Sequence, residues 1–208
     1  TALNGFGKTG SINGPTGTRI GTWNLRSINT GSYKQLDSVL RQYRCAITAL
    51  QETRVPEGVI KLENFVLFNS NVNNNRWSSG VGFAIHNSIM SAVKKWTPVN
   101  DRICVMILKA KPFDIGLVNC HAPSEDANEE SKEAFYSVLE SVFDQLPKHG
   151  VRLVLGDFNG KIGHEEEFRP NIGPESLHEQ SNENGTLLAN FAIEKGMYIS
   201  STYFPRKS

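Results

Sequence analysis

Several apolar runs of this sequence end in a polar residue that could take part in chemistry. These residues are Asn24, Glu52, His121, Asp157 and Asn159. A carboxylate with amide neighbours suits a hard cation such as Mg²⁺, which prefers oxygen ligands and keeps several of its waters. A second carboxylate could orient or deprotonate a water, and an asparagine could donate a hydrogen bond to charge developing on a phosphate. If the ends of these runs meet at one rim of a sheet, the sequence predicts a site for phosphate chemistry there.

Each of these residues also has a simpler interpretation. Asn and Asp are common turn formers at strand ends, and Gly160 after Asn159 is typical of a turn. Glu52 could be a solvated side chain, and His121 could cap a loop because it precedes an Ala-Pro pair. The recurrence of polar residues at successive strand ends favours the joint interpretation.

Alternating strands and helices are predicted around these residues. The predicted strands are residues 19–24, 45–52, 65–68, 80–86, 103–109, 114–121, 151–157 and 197–204. Apolar residues at helical spacing predict helices at 33–43, about 127–146 and 186–196, the last with Gly196 as its C-cap. Some connections are as short as hairpins and others contain a helix, which favours mixed sheets with helices outside them.

The composition is that of a globular domain. The 208 residues carry a formal net charge of +1, so charge alone neither favours nor excludes nucleic acid. We expect residues 18–208 to form one domain after a flexible segment, 1–17, and the run "NSNVNNN" at 69–75 to be a surface loop. No apolar run reaches the roughly 18–20 residues that cross a bilayer, so we expect no membrane partner. The three cysteines lie in or beside apolar runs without CxxC spacing, which predicts buried, reduced thiols of an intracellular protein.

Five motifs occur in an order that resembles a known superfamily. They are "TWNLRS" (22–27), "ALQETR" (49–54), "GVGFAI" (80–85), "NCHAPSED" (119–126) and "LGDFNGKIG" (155–163). Together they resemble the endonuclease/exonuclease/phosphatase superfamily, which has the DNase I-like fold. Within it the chain is most similar to the apurinic-type endonuclease domain of non-LTR, RTE-like retrotransposons and to craniofacial development protein 2-like proteins. The resemblance covers about residues 18–208.

The resemblance implies an α+β fold, a four-layered α/β/β/α sandwich. It also implies Mg²⁺-dependent hydrolysis of a phosphodiester, with Mn²⁺ as an alternative ion, usually as a nick in DNA that leaves a 3′-hydroxyl. Carried over by position, Glu52 is the main metal ligand and Asn24 the amide beside it. Asp157 aligns or activates the attacking water, and Asn159 donates to the phosphate. His121 stands where many relatives have Tyr, and it can still donate to a phosphate oxygen.

Two further positions in these motifs are predicted to contact the substrate, Asn119 and Arg54. The resemblance implies DNA as the expected partner, and work on DNA favours an intracellular, nuclear location. A phosphoinositide or sphingomyelin phosphodiesterase is disfavoured, because the motifs at 119–126 and 155–163 resemble the retrotransposon branch.

One part of the superfamily pattern is not found in these 208 residues. Relatives continue past "STYFPRKS" to a Trp-containing strand, a segment like "QIDHI" and an "SDH" motif, which supply another acid and a phosphate-binding histidine. No "SDH" occurs here. The sequence thus predicts a sandwich without its C-terminal strands, with hydrolysis impaired by several orders of magnitude and an open sheet edge that favours self-association. The alternative is a truncated or domesticated copy that acts as a non-catalytic binding module.

Overall fold

A computed structural model describes residues 11–12, 18–28, 32–71 and 79–205. These residues divide into two compact units. The first unit contains the described residues up to His121 together with Val142–Asp157, and the second contains Ala122–Ser141 and the described residues from Phe158. That residues 18–208 act as one domain stays a prediction. Of the segment predicted to be flexible, only Ser11–Ile12 is described, as a short strand, and the rest lies outside the described residues.

Two mixed β-sheets make up most of the first unit. The six-stranded sheet has the order β1-β2-β3-β6-β5-β4, and the four-stranded sheet has the order β10-β9-β8-β7. The strands are β1 (Ser11–Ile12), β2 (Thr18–Asn24), β3 (Ile47–Gln51), β4 (Gly58–Lys61), β5 (Phe65–Ser70), β6 (Val81–His86), β7 (Val93–Pro98), β8 (Ile103–Leu108), β9 (Ile115–His121) and β10 (Val151–Asp157). The pairs β2–β3 and β9–β10 are parallel and the other pairs are antiparallel.

The sheets pack face to face over one hydrophobic core. Phe83 and Ile47 from the six-stranded sheet and Met106 and Leu117 from the four-stranded sheet are almost completely buried in it. Strands with one face on this core and the other under a helix bury both faces, which explains why their sequences are continuous apolar runs. The predicted mixed sheets and the α+β class are confirmed.

Helix α1 (Tyr33–Tyr43) covers the outer face of the six-stranded sheet. Its apolar stripe places Leu36 and Leu40 against Phe65 and Leu67 of β5. Arg44 ends the helix in the left-handed conformation, with φ of 54°. The helix bounds equal the predicted ones, because the spacing of its apolar residues is regular over its whole length.

The second unit is built on two helices and the segments around them. Helix α2 (Glu129–Asp144) belongs to it up to Ser141, and helix α3 (Glu183–Glu194) belongs to it entirely. The rings of Tyr136 and Phe191 pack together, with centroids 6.2 Å apart. Ile162, Phe168, Ile172 and Ala189 form a small apolar cluster of their own. Lys195 is the C-cap of α3, and Gly196, predicted for that position, follows it with φ of +61°. A left-handed glycine directly after the cap is a common way for a helix to end.

Two predicted elements are wrong. Residues 197–204 form no strand: Ile199 makes one isolated bridge to Ile172 and a 3₁₀ turn follows at Ser200–Thr202, whose last hydroxyl donates to Ile199 O. Asn69, Ser70 and Asn71 are buried and do not lie in a surface loop. The rest of that run, residues 72–75, lies outside the described residues.

Helix α3 begins three residues before the predicted start, because the Asn182 side chain caps it by accepting from Gly185 N. Strands β4 and β7 were not predicted, since their short runs carry lysines among the apolar residues. The three cysteines are buried and free, as predicted. Among the described residues, no helix is both long and apolar enough to cross a bilayer.

Candidate active site

Two parallel strand pairs of the first unit end close together. Asn24 is the last residue of β2, and Asp157 is the last residue of β10, directly beside His121 of β9. The side-chain amide of Asn24 donates to Glu52 Oε1 at 2.7 Å and to Asp157 Oδ2 at 3.0 Å. One amide therefore holds two carboxylates, one from each sheet, at the same rim. This is the gathering of strand ends that the sequence predicted.

The Glu52 carboxylate is ionised and held from two sides. Arg54 Nη2 lies 2.9 Å from Glu52 Oε2, while Asn24 holds the other oxygen. Burial raises the pKa of Glu52, but the hydrogen bonds from Asn24 and Arg54, together with the Arg54 charge, outweigh it and leave the pKa below its usual range. The charged form needed for binding a cation is thus the stable one at neutral pH.

His121 faces the Glu52 carboxylate. Its Nε2 atom lies 4.0 Å from Glu52 Oε1, and its ring is largely buried. Burial lowers the pKa of His121 and Arg102 lowers it further, against the opposing effects of Asp157 and Glu52, and the net shift is downward. His121 Nδ1 is buried and has no hydrogen-bond partner among the described residues. The ring nitrogen that a ligand at the rim would meet is therefore Nε2, which can donate or accept according to the tautomer.

The turn that presents Glu52 has an unusual backbone. Glu52 and Arg54 both have φ of +52°, a region that non-glycine residues rarely occupy. Main-chain hydrogen bonds from Thr53 N to Gly80 O and from Arg54 N to Ser79 O hold the turn against the start of β6. Such conformations persist where the surroundings over-determine them, and they cluster at functional sites.

Asn119 does not lie where a substrate could reach it. It is completely buried, and its amide donates to Leu50 O at 2.8 Å and Gly82 O at 2.6 Å. Its Oδ1 accepts from Gln51 Nε2 at 2.7 Å. These bonds connect β9 to the other sheet across the core. The predicted substrate contact is therefore corrected: the sequence places Asn119 near the strand end, but its side chain points inward and ties the two sheets.

Asn159 belongs to the second unit. Its backbone has φ of +48°, and its side-chain amide donates to Ala122 O at 2.9 Å. The buried Asn184 donates to Asn159 O at 3.2 Å and to Pro123 O at 3.0 Å. The Asn159 turn is thus fixed in its own unit, and its role toward a phosphate stays a prediction, as does that of Arg54.

The donor atoms at the rim suit Mg²⁺ better than a softer metal. No cluster of three or more His, Cys, Asp or Glu side chains with metal-binding geometry occurs within the described ranges. The Glu52 and Asp157 carboxylates, joined by Asn24, instead offer a few hard oxygens, and Mg²⁺ commonly binds through one or two carboxylates and keeps its waters. Asn24 directs its amide nitrogen at the carboxylates while its Oδ1 accepts from Arg26 N, so ligation by Asn24 would require the amide to turn over.

Sequence reasoning missed the buried amides that support the site. Gln51, Asn69 and Asn184 are each no more than 3% exposed and hydrogen-bonded to neighbouring segments. Their sequence signal is weak, because an asparagine next to Ser or Gly is more often a turn residue.

The comparisons with known proteins agree with this geometry. The sequence profile of the Endonuclease/Exonuclease/phosphatase family matches residues 21–202. The chain belongs to this family. Craniofacial development protein 2 from Bos taurus is 26% identical over 190 residues, which are 91% of this chain and 32% of that protein. The same protein from Tragulus javanicus is also 26% identical, with 91% and 33% covered. The chain therefore spans about a third of the length of these relatives.

Solved structures of the family share the fold at low sequence identity. The AP endonuclease LMAP from Leishmania major has a TM-score of 0.62 at 14% identity, with 85% of this chain and 66% of that chain covered. The endonuclease domain of TRAS1, a telomere-specific non-LTR retrotransposon, has a TM-score of 0.59 at 18% identity, with 86% and 71% covered. The Xenopus laevis APE2 catalytic domain has a TM-score of 0.58 at 18% identity, with 83% and 67% covered. The DNase I-like fold predicted from the motifs is confirmed.

Proposed function

We propose that this chain carries the hydrolytic site of a Mg²⁺-dependent DNA endonuclease of the Endonuclease/Exonuclease/phosphatase family. One observation carries the proposal: the Asn24 amide joins the Glu52 and Asp157 carboxylates at the rim where strand ends of both sheets meet. Because both carboxylates are bonded to the same amide, one can hold a cation while the other orients or deprotonates a water beside it. The retrotransposon endonuclease domain among the similar structures supports DNA as the substrate.

The two carboxylates take different roles in this proposal. Glu52 would hold Mg²⁺, whose chemistry when bound is to neutralise charge on the phosphate. Asp157 would accept a proton from the water whose oxygen bonds to phosphorus, while the P–O bond to the 3′ oxygen breaks. The 3′ oxygen takes a proton from solvent and becomes a hydroxyl, and the phosphate stays on the 5′ end. The Asn24 amide fixes both carboxylates, so neither must reorient when the substrate arrives.

Three side chains are proposed to contact the phosphodiester. His121 supports this role through its neutral ring, whose Nε2 atom lies on the side of Glu52. Arg54 is about two-fifths exposed beside Glu52, so its guanidinium is accessible to an anion. Asn159 is assigned by the family pattern. A DNA substrate also favours a nuclear location, which imaging of the tagged full-length protein would check.

A supercoiled-plasmid nicking assay with Mg²⁺ or Mn²⁺ tests the proposal. We expect nicked circles from the wild-type chain and none from Asp157→Ala. Asp114→Ala is the matched control, because Asp114 is paired with Lys94 at the far end of β9 from the site and its loss should leave nicking unchanged. Nicking that is equal in wild type and Asp157→Ala would show a contaminating nuclease and contradict the assignment.

The second candidate function is a binding module without catalysis. Under this alternative the wild-type chain binds DNA in a filter or polarisation assay, with no nicking at any divalent-ion concentration. Nicking that depends on Asp157 excludes it.

We also propose self-association through the open edge of the four-stranded sheet. Among the described strands β10 pairs only with β9, and Val151 is 44% exposed at its start. An unpaired edge offers main-chain groups to a second strand. Sedimentation velocity should detect dimers that Val151→Lys dissociates, whereas Val59→Lys, on the β4 edge of the other sheet, should leave them intact. A wild-type chain that stays monomeric at high concentration would contradict this proposal.

A further inference from the structure

Asn69 lies in β5 and makes no hydrogen bond to either carboxylate of the site, yet all the hydrogen bonds of its side chain go to the segment after Glu52. Its side chain is 3% exposed. Its amide nitrogen donates to Val55 O at 2.7 Å and to Pro56 O at 2.9 Å. Its Oδ1 accepts from the Thr53 hydroxyl at 2.5 Å. The two amide hydrogens and the oxygen of this side chain are therefore all bonded to the short segment 53–56, at Thr53, Val55 and Pro56.

That turn needs support from outside because its backbone is strained. The left-handed conformations of Glu52 and Arg54 lie on either side of Thr53. Main-chain bonds to Ser79 O and Gly80 O hold one side of the turn. Asn69 holds the other side, through the Thr53 hydroxyl and the two carbonyls that follow. Without Asn69, Thr53 has no side-chain anchor on that side.

The surroundings of Asn69 leave room for this contact. Asn71 also donates to Val55 O, at 3.1 Å, which adds a second amide to the same carbonyl. Gly82 lies opposite Asn69 in β6, and a Cβ atom there would sit 3.3 Å from Asn69 Oδ1. A Cβ atom at Gly80 would sit 2.6 Å from the Thr53 hydroxyl oxygen. Gly80 therefore keeps clear the space beside the Thr53 hydroxyl, whereas Gly82 is required first by the close approach of Phe68 O.

We propose that Asn69 is a positioning residue for Glu52: by fixing Thr53, Val55 and Pro56 it holds the strained turn that aims the Glu52 carboxylate. The proposal rests on the proposed function in one respect, that the carboxylate so aimed binds a divalent ion. Asn69 contacts no reacting group, and its effect passes through the main chain of the turn.

Mn²⁺ binding, followed by the loss of the free-ion signal in electron paramagnetic resonance, tests the proposal without catalysis. We expect Asn69→Ala to bind Mn²⁺ about tenfold more weakly than wild type, the order of effect usual for residues that orient a metal ligand. Asn64→Ala is the matched control. Asn64 precedes β5, and its side-chain amide donates to Asp37 of α1, so Asn64→Ala removes one partly buried hydrogen bond without touching the Glu52 turn. All variants are compared well below their melting temperatures.

Two conservative substitutions at Thr53 distinguish a loss of Glu52 positioning from a general loss of stability. Thr53→Val keeps the shape of a 1% exposed side chain but removes the hydroxyl that Asn69 accepts from. Thr53→Ser keeps that hydroxyl. We expect Thr53→Val to weaken Mn²⁺ binding and Thr53→Ser to retain most of it, whatever the melting temperatures of the two variants.

The side-chain amide of Asn24 reports the Glu52 orientation without any metal, because it donates to Glu52 Oε1. Its NMR resonances should move in Asn69→Ala and stay in place in Asn64→Ala. If the wild-type chain binds no Mn²⁺, the metal site of the proposed function fails, and the Asn24 resonances alone decide the role of Asn69. Unchanged Mn²⁺ affinity together with unchanged Asn24 resonances in Asn69→Ala would overturn the proposal, as would equal changes in Asn64→Ala.

Discussion

Two turns carry predicted site residues, and each is fixed by a buried asparagine in a different way. The turn after β3 presents Glu52. The Asn69 side chain holds this turn, and its amide nitrogen and its oxygen are both hydrogen-bonded to it. The turn after β10 presents Asn159, and Asn184 donates to its carbonyl and to Pro123 O. Asn184 Oδ1, however, is buried with no hydrogen-bond partner among the described residues.

This difference in hydrogen bonding between Asn69 and Asn184 affects how much each side chain contributes to the stability of the fold. A buried amide with all its hydrogen bonds made stabilises the fold by about 1 kcal/mol per bond, whereas an unpaired buried acceptor costs about 1–3 kcal/mol. The hydrogen bonds from Asn69 therefore offset part of the backbone strain of the Glu52 turn. The Asn159 turn is held at a cost that its unit must offset elsewhere, for example by the Glu125 carboxylate, which accepts from Glu183 N and Asn184 N at the positive end of α3.

The largest expected effect is a difference in Mg²⁺ affinity between variants of the two carboxylates, Glu52 and Asp157. Glu52→Gln should remove Mg²⁺ binding, because it takes away the charged oxygen pair, while Asp157→Asn should leave the affinity nearly unchanged. Both should lower the nicking rate by at least about a thousandfold, since members of a catalytic unit act together. Isothermal titration and the plasmid assay measure the two quantities. Equal Mg²⁺ affinity in Glu52→Gln and wild type would remove the metal assignment.

A moderate effect compares the two asparagines directly. Asn69→Ala should lower the free energy of unfolding by about 3 kcal/mol, because it leaves the Thr53 hydroxyl and a carbonyl unpaired. Asn184→Ala should lower it by only about 1 kcal/mol, because the substitution also removes an unpaired buried acceptor. Urea denaturation at 25 °C followed by fluorescence and by circular dichroism measures both. A larger loss for Asn184→Ala would reverse the comparison.

The smallest expected effect concerns pH and the segment that follows the Asn159 turn. Burial raises the pKa of Glu165, but hydrogen bonds from the Ser181 N–H and hydroxyl outweigh it, so the pKa lies below its usual value in the folded chain. This stabilisation is present above the unfolded pKa and is lost as pH falls through the folded pKa. Glu165→Gln should therefore melt slightly lower than wild type at pH 7 and equally at pH 3. If the difference in melting temperature between Glu165→Gln and wild type were the same at pH 3, the effect would come from packing and not from the Glu165 charge.

Much of the fold could be predicted because its signals are local. The bounds of α1 follow from one apolar stripe, and the strands β3, β6, β8, β9 and β10 follow from uninterrupted apolar runs. Residues 197–204 were predicted as a strand for the same local reason. There the Thr202 hydroxyl closes a turn on Ile199 O, and apolar composition cannot show a side-chain bond of this kind.

The run at 69–75 shows the limit most clearly. Asparagines in sequence favour a surface loop, yet Asn69 and Asn71 are buried because the Glu52 turn supplies carbonyls that need donors. No feature within the run contains that information. The same holds for Asn119, which the motif placed correctly at the rim but whose inward direction depends on which face of β9 meets the other sheet.

The sequence by itself determined which residues could do chemistry and in which family: Asn24, Glu52, His121 and Asp157 are strand-end residues of motifs whose order is specific. Residue types and local spacing carry that much, because chemistry depends on functional groups and strands depend on apolar runs. Only the tertiary structure decided that the Asn24 amide bonds to both Glu52 and Asp157. Asn24 and Asp157 are 133 residues apart in the sequence. It also decided that the Asn69 side chain is bonded to the turn that follows Glu52, because hydrogen bonds between distant segments exist only once the chain has folded.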